Sequence, residues 1–145
     1  MSYSKRDNFL YIGQQLPSMN EYVNKCRTNP HVGAEFKRVT EENILMWINA
    51  CMAQGHLHAI KQPCEIIMDF YERTRRRDVD NIQSAQKFIL DALQTAKIIP
   101  NDSQRFVTQI YHRVLHNTAG TGVYVYIIEG RHVELHVEDG ERDVR

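Results

Sequence analysis

Apolar residues recur along the first half of the chain with two different periods, and these periods predict its elements. Residues 8–15, which contain the short apolar run from Phe9 to Ile12, predict a first strand. Residues 34–54 place most of their apolar side chains on one helical stripe that ends at Gly55, which predicts a long amphipathic helix. Residues 63–71 are rich in β-branched and aromatic side chains and predict a second strand. Strand and helix are therefore expected to alternate.

A shorter helix is predicted between the first strand and the long helix. Ser18 precedes Glu21 by three residues, which is the spacing of a capping box. Asn29-Pro30 and Gly33 are expected to end this helix before the long one begins, because all three residue types interrupt regular structure.

The second half of the chain predicts one more helix and a set of strands. Residues 81–96 carry a buried stripe at helical spacing. Residues 106–115 and 123–128 predict two strands, and the turn residues 117–122 between them indicate an antiparallel hairpin. Residues 132–137 alternate cleanly and predict an edge strand.

The order of these elements predicts an α+β (α/β-layered) fold, in which two main helices pack on a small mixed β-sheet. The 145 residues are expected to form a single domain over 1–145, with a frayed C-terminal tail from about residue 138. A chain of this length can bury a core without disulfides or metals to staple it.

Composition narrows the class of protein. A hydrophobic share of 42% with 25% charged residues is ordinary for a globular chain and predicts neither disorder nor a membrane span. The three cysteines form no C-x-x-C motif, which argues against a zinc knuckle or a redox motif. The sequence shows no secretory signal, so we expect reduced thiols and a cytoplasmic location. A net charge of +0 argues against a simple nucleic-acid coat, although clustered basic groups can still bind DNA.

Basic and acidic residues are concentrated in residues 73–81, RTRRRDVDN. Asp78 and Asp80 are two positions apart, so in an extended chain both carboxylates point to the same side. Asp80 is also placed to cap the helix that follows, with Gln83 three residues later. A polar turn that only caps a helix therefore remains an alternative explanation for the pair.

A third carboxylate, Asp102, follows the helix, and a return loop can bring it beside Asp78 and Asp80. Three converging carboxylates repel one another unless a cation lies among them, and oxygen ligands suit Mg²⁺, with Mn²⁺ as a possible substitute. The arginines that precede the pair supply phosphate contacts, unless they form only a solvated loop. The pattern predicts metal-dependent chemistry on a nucleic-acid backbone, with DNA contacts from Arg73, Arg75, Arg76 and Arg77.

Lys87 lies seven residues after Asp80, which on one continuous helix puts both on the same face. There it can orient a water or hold the scissile phosphate, or it can be an ordinary surface lysine. Asp91, four residues further on, is interpreted as its structural partner. A histidine metal site is not predicted, because His112 and His116 are about 13 Å apart on a strand.

These residues resemble the RusA family of Holliday junction resolvases. The similarity lies in Arg77-Asp78-Val79-Asp80-Asn81, in the segment from Lys87 to Leu93, in Ile99-Pro100-Asn101-Asp102-Ser103, and in the entry segment Leu16-Pro17-Ser18-Met19-Asn20. It covers about residues 8–115. Members of this family are often carried by phages and prophages.

The resemblance implies a homodimeric, Mg²⁺-dependent endonuclease that makes paired nicks in four-way DNA junctions during recombination and repair. Asp78, Asp80 and Asp102 would be its metal-binding carboxylates and Lys87 its essential lysine. Asn81 would stand beside the metal, and both Asn81 and Asn20 would contact the DNA.

Two departures from the family pattern bear on these roles. The chain is about three residues longer between Asp80 and the Asp91-Ala-Leu segment, so either Lys87 or Ser84 takes the family lysine position. Asn101 replaces the first acid of an Asp-Asp pair, which leaves Asp102 as the ligand. A nuclease for forks or flaps and a non-catalytic branched-DNA-binding accessory protein remain the rival hypotheses, and the acidic C-terminal segment has no assigned role.

Overall fold

The structure is a computed structural model that describes residues 8–130. Its four strands are β1 (Phe9–Ile12), β2 (Cys64–Glu72), β3 (Val107–His116) and β4 (Gly122–Glu129). Its helices, within the same residues, are α1 (Met19–Thr28), α2 (Pro30–Ala53), α3 (Val79–Gln83) and α4 (Gln86–Thr95). The α+β prediction is confirmed, whereas the predicted strand 132–137 and the predicted frayed tail lie outside the described residues.

The strands form one mixed sheet in the order β1-β4-β2-β3. β4 is antiparallel to both β1 and β2, and β3 runs parallel to β2 at the edge. The predicted hairpin of β3 and β4 is therefore wrong. The turn between them carries the chain across β2, where β4 fills the place between β2 and β1. A parallel β2–β3 pair needs a crossover, and α3 and α4 provide it.

The main core lies between one face of the sheet and the long helices. Ile44 and Ile48 of α2 and Phe88, Ile89 and Leu93 of α4 are buried there. They pack on alternate residues of the central strands, namely Ile66, Met68, Phe70, Val123, Val125 and Ile127. The opposite face carries a smaller cluster around Ile67, Tyr126 and Ile128. Because the period of a strand is two, every second residue of β2 points toward the helices.

The helix α1 begins as the capping box predicts. The Ser18 hydroxyl accepts a hydrogen bond from the Glu21 backbone N–H, and a Glu21 carboxylate oxygen accepts one from the Ser18 N–H. The expected interruption at residues 29–33 is only partly correct. Asn29 caps α2 through the His31 N–H, and Pro30 opens the helix, where its missing N–H costs nothing.

Gly33 lies inside α2 and allows a close helix crossing rather than a break. A Cβ added there would come within 2.9 Å of the Cys26 Cα in α1. The expectation that Gly33 ends a helix is therefore wrong, because its bare backbone is needed for packing.

Gly33→Ala is expected to lower the free energy of unfolding by about 1–2 kcal/mol, because overpacking against a backbone outweighs the gain in helix propensity. Urea denaturation followed by circular dichroism measures the change. The matched control is Gly120→Ala, since a Cβ at Gly120 meets nothing within 4 Å. Equal effects of the two changes would contradict the packing role of Gly33.

The predicted helix 81–96 is two helices. α3 ends at Gln83 and α4 begins at Gln86, with a turn at Ser84 and Ala85. The Ser84 hydroxyl donates to the Asn81 carbonyl at 2.7 Å and accepts from the Met19 N–H at 3.0 Å. The interruption thus coincides with the place where the start of α1 docks. In residues 8–130 no helix is both long and apolar enough to cross a bilayer.

Candidate nucleic-acid site

The arginine loop, residues 73–78, connects the end of β2 to the start of α3. Arg77 anchors it, donating to the Leu16 carbonyl at 3.3 Å and lying 3.5 Å from a carboxylate oxygen of Glu72. The side chain of Arg77 is only 21% exposed. Arg77 therefore holds the loop against the segment before α1. The sequence did not predict this structural role, and the DNA contact expected of Arg77 stays a prediction.

The other three arginines of the loop, Arg73, Arg75 and Arg76, are exposed to solvent. The loop itself is held by backbone contacts: the Arg76 N–H donates to the Thr74 hydroxyl at 3.5 Å, and His116 Nε2 lies 3.1 Å from the Arg73 carbonyl. Their guanidinium groups have no hydrogen bond or ion pair to residues 8–130 and are available for an anionic partner. This arrangement suits the phosphates of a nucleic acid.

Asp78 and Asp80 flank the start of α3, and both are exposed. Asp78 is extended, as expected, and it is the N-cap residue, but its carboxylate makes no capping hydrogen bond. The prediction that Asp80 caps the helix with Gln83 is wrong, because Asp80 already lies in the first turn. There its carboxylate accepts from the Asn81 N–H at 3.0 Å. Neither carboxylate is needed to complete the helix, so capping does not explain the pair.

The start of α1 is tied to α3 by an amide pair. Asn20 Nδ2 donates to Asn81 Oδ1 at 2.8 Å, and the Met19 N–H donates to the Ser84 hydroxyl. Two motifs that lie about sixty residues apart in the chain thus meet beside Asp80. The Ser84 hydroxyl carries no charge and is engaged in this contact, and which of Lys87 and Ser84 takes the family lysine position stays a prediction.

Lys87 lies in the first turn of α4 and is not on one continuous helix with Asp80, because the turn at Ser84 and Ala85 separates α3 from α4. Its ammonium donates to the Asp91 carboxylate at 3.1 Å, as the i,i+4 spacing predicts. The hydrogen bond and charge of Asp91 raise the pKa of Lys87, and the charges of Asp102 and Glu41 raise it further. Lys87 therefore remains a cation and is not suited to act as a general base.

Asp102 lies in the turn after α4, where it is exposed. The neighbouring Asn101 side chain accepts from the Ser103 N–H at 2.9 Å and so stabilises the turn. The Asp102 carboxylate makes no hydrogen bond or ion pair to residues 8–130 and is close enough to Lys87 to raise its pKa. Of the neighbours Asn101 and Asp102, therefore, only Asp102 has a side chain that is free to bind a ligand.

The predicted residues form neighbouring groups rather than one closed cage. Asn20 contacts Asn81 beside the pair Asp78 and Asp80, and Lys87 lies near Asp102. Across residues 8–130, no three His, Cys, Asp or Glu side chains are arranged to hold a metal ion. A preassembled three-carboxylate cage is therefore absent from these residues, and joint ligation by Asp78, Asp80 and Asp102 stays a prediction.

Sequence reasoning missed Glu72, the last residue of β2. It lies on the same face as Phe70 and is 8% exposed, with burial raising its pKa and the Arg77 guanidinium opposing that increase. The signal was present in the sequence, because a strand period of two places Glu72 on the core face. It was hidden because acidic residues at strand ends are usually solvated.

Comparison with protein-family models matches residues 6–128 to the endodeoxyribonuclease RusA family. The matched range contains the arginine loop, both carboxylates of α3, Lys87 and Asp102. The chain belongs to the RusA endodeoxyribonuclease family. Comparison with curated proteins gives no match.

Membership in the RusA family confirms the resemblance drawn from the motifs and supports nuclease activity on DNA. Three kinds of side chain in this RusA-family chain are chemically suited to act on a phosphodiester. They are the exposed arginines, the carboxylates of Asp78, Asp80 and Asp102, and the ammonium of Lys87.

Proposed function

We propose that this RusA-family protein is a Mg²⁺-dependent endonuclease that resolves four-way DNA junctions by paired, symmetric nicks during recombination and repair. The observation that carries the proposal is the pair Asp78 and Asp80, which are exposed, not needed as caps, and follow a loop with three exposed arginines. If the pair served only to cap a helix, its carboxylates would accept hydrogen bonds from backbone N–H groups at the helix start. The Asp78 side chain accepts no such bond.

The available ligands fit a magnesium ion in their chemistry. Mg²⁺ prefers oxygen donors, and in nucleic-acid enzymes it is commonly held by one or two carboxylates together with water and substrate phosphates. Asp78 and Asp80 supply such donors, Asp102 supplies a third from the turn after α4, and Mn²⁺ suits the same donors. The lack of a closed cage in residues 8–130 is compatible with a site that is completed by the DNA.

When bound, Mg²⁺ supplies an activated water and stabilises the leaving oxygen. The chain's own residues supply the rest. Arg73, Arg75 and Arg76 bind phosphates of the branched DNA and fix its register. Asn20 orients Asn81 through their amide hydrogen bond, so that α1 and α3 hold the carboxylates in a constant position.

Lys87 contributes positive charge rather than proton transfer. Its pKa is raised by Asp91, so it stays protonated and can stabilise the additional negative charge of a phosphodiester under attack. Asp91 positions it, and it shares that carboxylate with Lys37, whose ammonium lies 3.9 Å away.

Lys87→Gln is expected to slow DNA cleavage by about a hundredfold, in the range measured when one stabilising donor is removed from an active site. Lys37→Gln is the matched control, because Lys37 also pairs with Asp91 but lies on α2. Single-turnover cleavage rates at saturating protein measure both changes. Equal rates for the two variants would show that Lys87 is an ordinary surface lysine.

Two nicks on opposed strands need two active sites, so we propose that the protein acts as a homodimer. A twofold axis presents identical sites to strands of like polarity in a four-way junction. Analytical ultracentrifugation of the protein alone and with one junction tests the stoichiometry. A single protomer per junction that still makes both nicks would contradict the dimer.

The proposed activity is tested by cleavage of a labelled four-way junction, a fork, a flap and a linear duplex of the same sequence, each with Mg²⁺ and with a chelator. We expect cleavage of the junction in Mg²⁺ and none of the duplex. Preferential cutting of the fork or flap would instead favour a nuclease for other branched DNA. A junction that is bound but never cut in Mg²⁺ or Mn²⁺ would favour an accessory protein.

A further inference from the structure

A cavity of about 270 Å³ opens beside the arginine loop, on the helix side of the sheet. The loop, the start of α3 and the last residues of β3 form its walls. Val79 and Leu115 are among its apolar lining residues, and Glu72, Arg75 and Arg77 supply its charged groups. The cavity therefore combines apolar walls with a few convergent polar groups, the composition that is typical of small-ligand sites.

Val79 fixes the position of this cavity relative to the proposed chemistry. It lies in the chain between Asp78 and Asp80, and it is 54% exposed although it is apolar. A ligand against Val79 would thus lie within one residue of both proposed metal ligands. For a nuclease, the group next to the scissile phosphate is the nucleotide that carries it.

Glu72 gives the cavity a selective polar group. Its side chain is 10% exposed, and Oε2 lies 3.5 Å from Arg77 Nη1. That distance is at the long limit for a hydrogen bond, so Arg77 satisfies the carboxylate only weakly. Oε1 accepts no hydrogen bond from any residue in 8–130. A ligand that donates a hydrogen bond into the cavity would therefore meet an acceptor that the fold leaves largely unused.

We propose that this cavity receives one unstacked nucleobase next to the phosphate that is cut, and that Glu72 accepts a hydrogen bond from the exocyclic amino group of that base. The inference rests on the proposed function and adds a selective step to it. Val79 and Leu115 contact the apolar faces of the ring, while Arg75 lies where it can hold the adjoining phosphate. Carboxylates accept from such amino groups in DNA recognition, and a base without one leaves Glu72 Oε1 without a hydrogen-bond donor.

The test uses pairs of bases that differ in the amino group alone. Four-way junctions are prepared with cytosine or pyrimidin-2-one, and with adenine or unsubstituted purine, at the nucleotides flanking the cleaved bond. The wild type is expected to cut the amino-bearing junctions about tenfold to a hundredfold faster, the range of discrimination for one well-placed base contact. Glu72→Gln should abolish this preference, because an amide can both donate and accept.

A second variant and a second readout separate this proposal from the proposed cleavage. Val79→Phe fills the cavity with a larger side chain at an exposed position. Val32→Phe is its matched control, because Val32 lies in α2 and is 40% exposed. With 2-aminopurine at the same nucleotide and no metal present, the wild type and Val32→Phe should raise the fluorescence as the base unstacks. Val79→Phe should not.

The outcomes are distinct for the two proposals. Cleavage of the junction at equal rates for all bases would overturn the base-binding cavity and leave the nuclease proposal standing. Absence of cleavage together with the expected fluorescence increase would overturn the nuclease proposal and keep the cavity. Equal fluorescence for Val79→Phe and the wild type would overturn the cavity whatever the cleavage result.

Discussion

Asp80→Asn is expected to slow cleavage of a four-way junction by about a thousandfold, since a lost metal ligand removes several kcal/mol of transition-state stabilisation. The free energy of unfolding should stay within about 0.5 kcal/mol of the wild type, because the side chain is exposed and caps nothing. Asp78→Asn should behave in the same way. This separation of activity from stability is what a ligand role predicts for the pair.

A purely structural role for the same residues predicts the opposite pattern. If Asp78 or Asp80 stabilised α3 as caps, their replacement would cost about 1 kcal/mol of stability without a specific effect on cleavage. Single-turnover rates and urea denaturation on the same preparations measure both quantities. The control is Glu42→Gln, which removes an exposed carboxylate of α2 that pairs with Arg38, away from the site. Asp80→Asn that is unstable yet as active as this control would contradict the ligand role.

Arg113→Met is expected to lower the free energy of unfolding by about 2–3 kcal/mol, because it removes the bidentate arginine from a buried carboxylate. Asp69 in β2 is fully buried, and Arg113 in β3 grips it through Nε at 2.9 Å and Nη2 at 2.8 Å. The arginine side chain is itself 41% exposed, so the cost is placed below that of a fully buried pair. The pair joins the parallel strands β2 and β3. The arginine loop and the cavity lie at the carboxyl ends of these two strands.

The double variant Asp69→Leu/Arg113→Met separates the pair from the cost of leaving one charge unpaired. Its stability should recover most of the loss, because two apolar side chains of similar volume leave no buried charge. Arg38→Met is the matched control, since Arg38 makes its ion pairs on the exposed face of α2 and should change stability far less. Urea denaturation measures all of these variants, and a double variant no more stable than Arg113→Met would contradict the account.

Local chemistry predicted the elements of this fold better than their pairing. The strand at residues 63–71 and the capping box at Ser18 could be predicted, because strand propensity and helix capping depend on residues that are close in the chain. The pairing of β3 and β4 could not be predicted in this way, because residues 117–122 form a turn whether or not the two flanking strands pair with each other. Only the sheet as a whole shows that β4 pairs with β2 and β1, so a compact turn between two strands does not specify a hairpin.

Glycine and serine were misinterpreted for a similar reason. Gly33 breaks helices by propensity, but here its missing side chain admits Cys26 of α1. Ser84 interrupts a stripe that otherwise reads as one continuous helix, because its hydroxyl bonds the start of α1. Both outcomes depend on tertiary contacts that a single chain segment cannot reveal.

The candidate site divides in the same manner. The carboxylates, the arginines and Lys87 were found from charge and spacing, and the structure shows which of them remain unneutralised. Arg77 could not be separated from the other arginines until its contacts with Leu16 and Glu72 were seen. The strand period alone places Glu72 on the core face, but the cavity beside it forms where β2, β3 and α3 meet, so it could not be predicted from any one segment.

The central claim is most directly tested on a supercoiled plasmid that extrudes a cruciform, incubated with the wild type or with Asp80→Asn in Mg²⁺. Paired nicks across the junction convert the wild-type reaction to linear plasmid with ends at the cruciform, and Asp80→Asn should leave the plasmid supercoiled. A plasmid without the cruciform should stay intact in both reactions. A wild-type reaction that yields no linear product, or one that Asp80→Asn reproduces at full rate, would contradict junction resolution by these carboxylates.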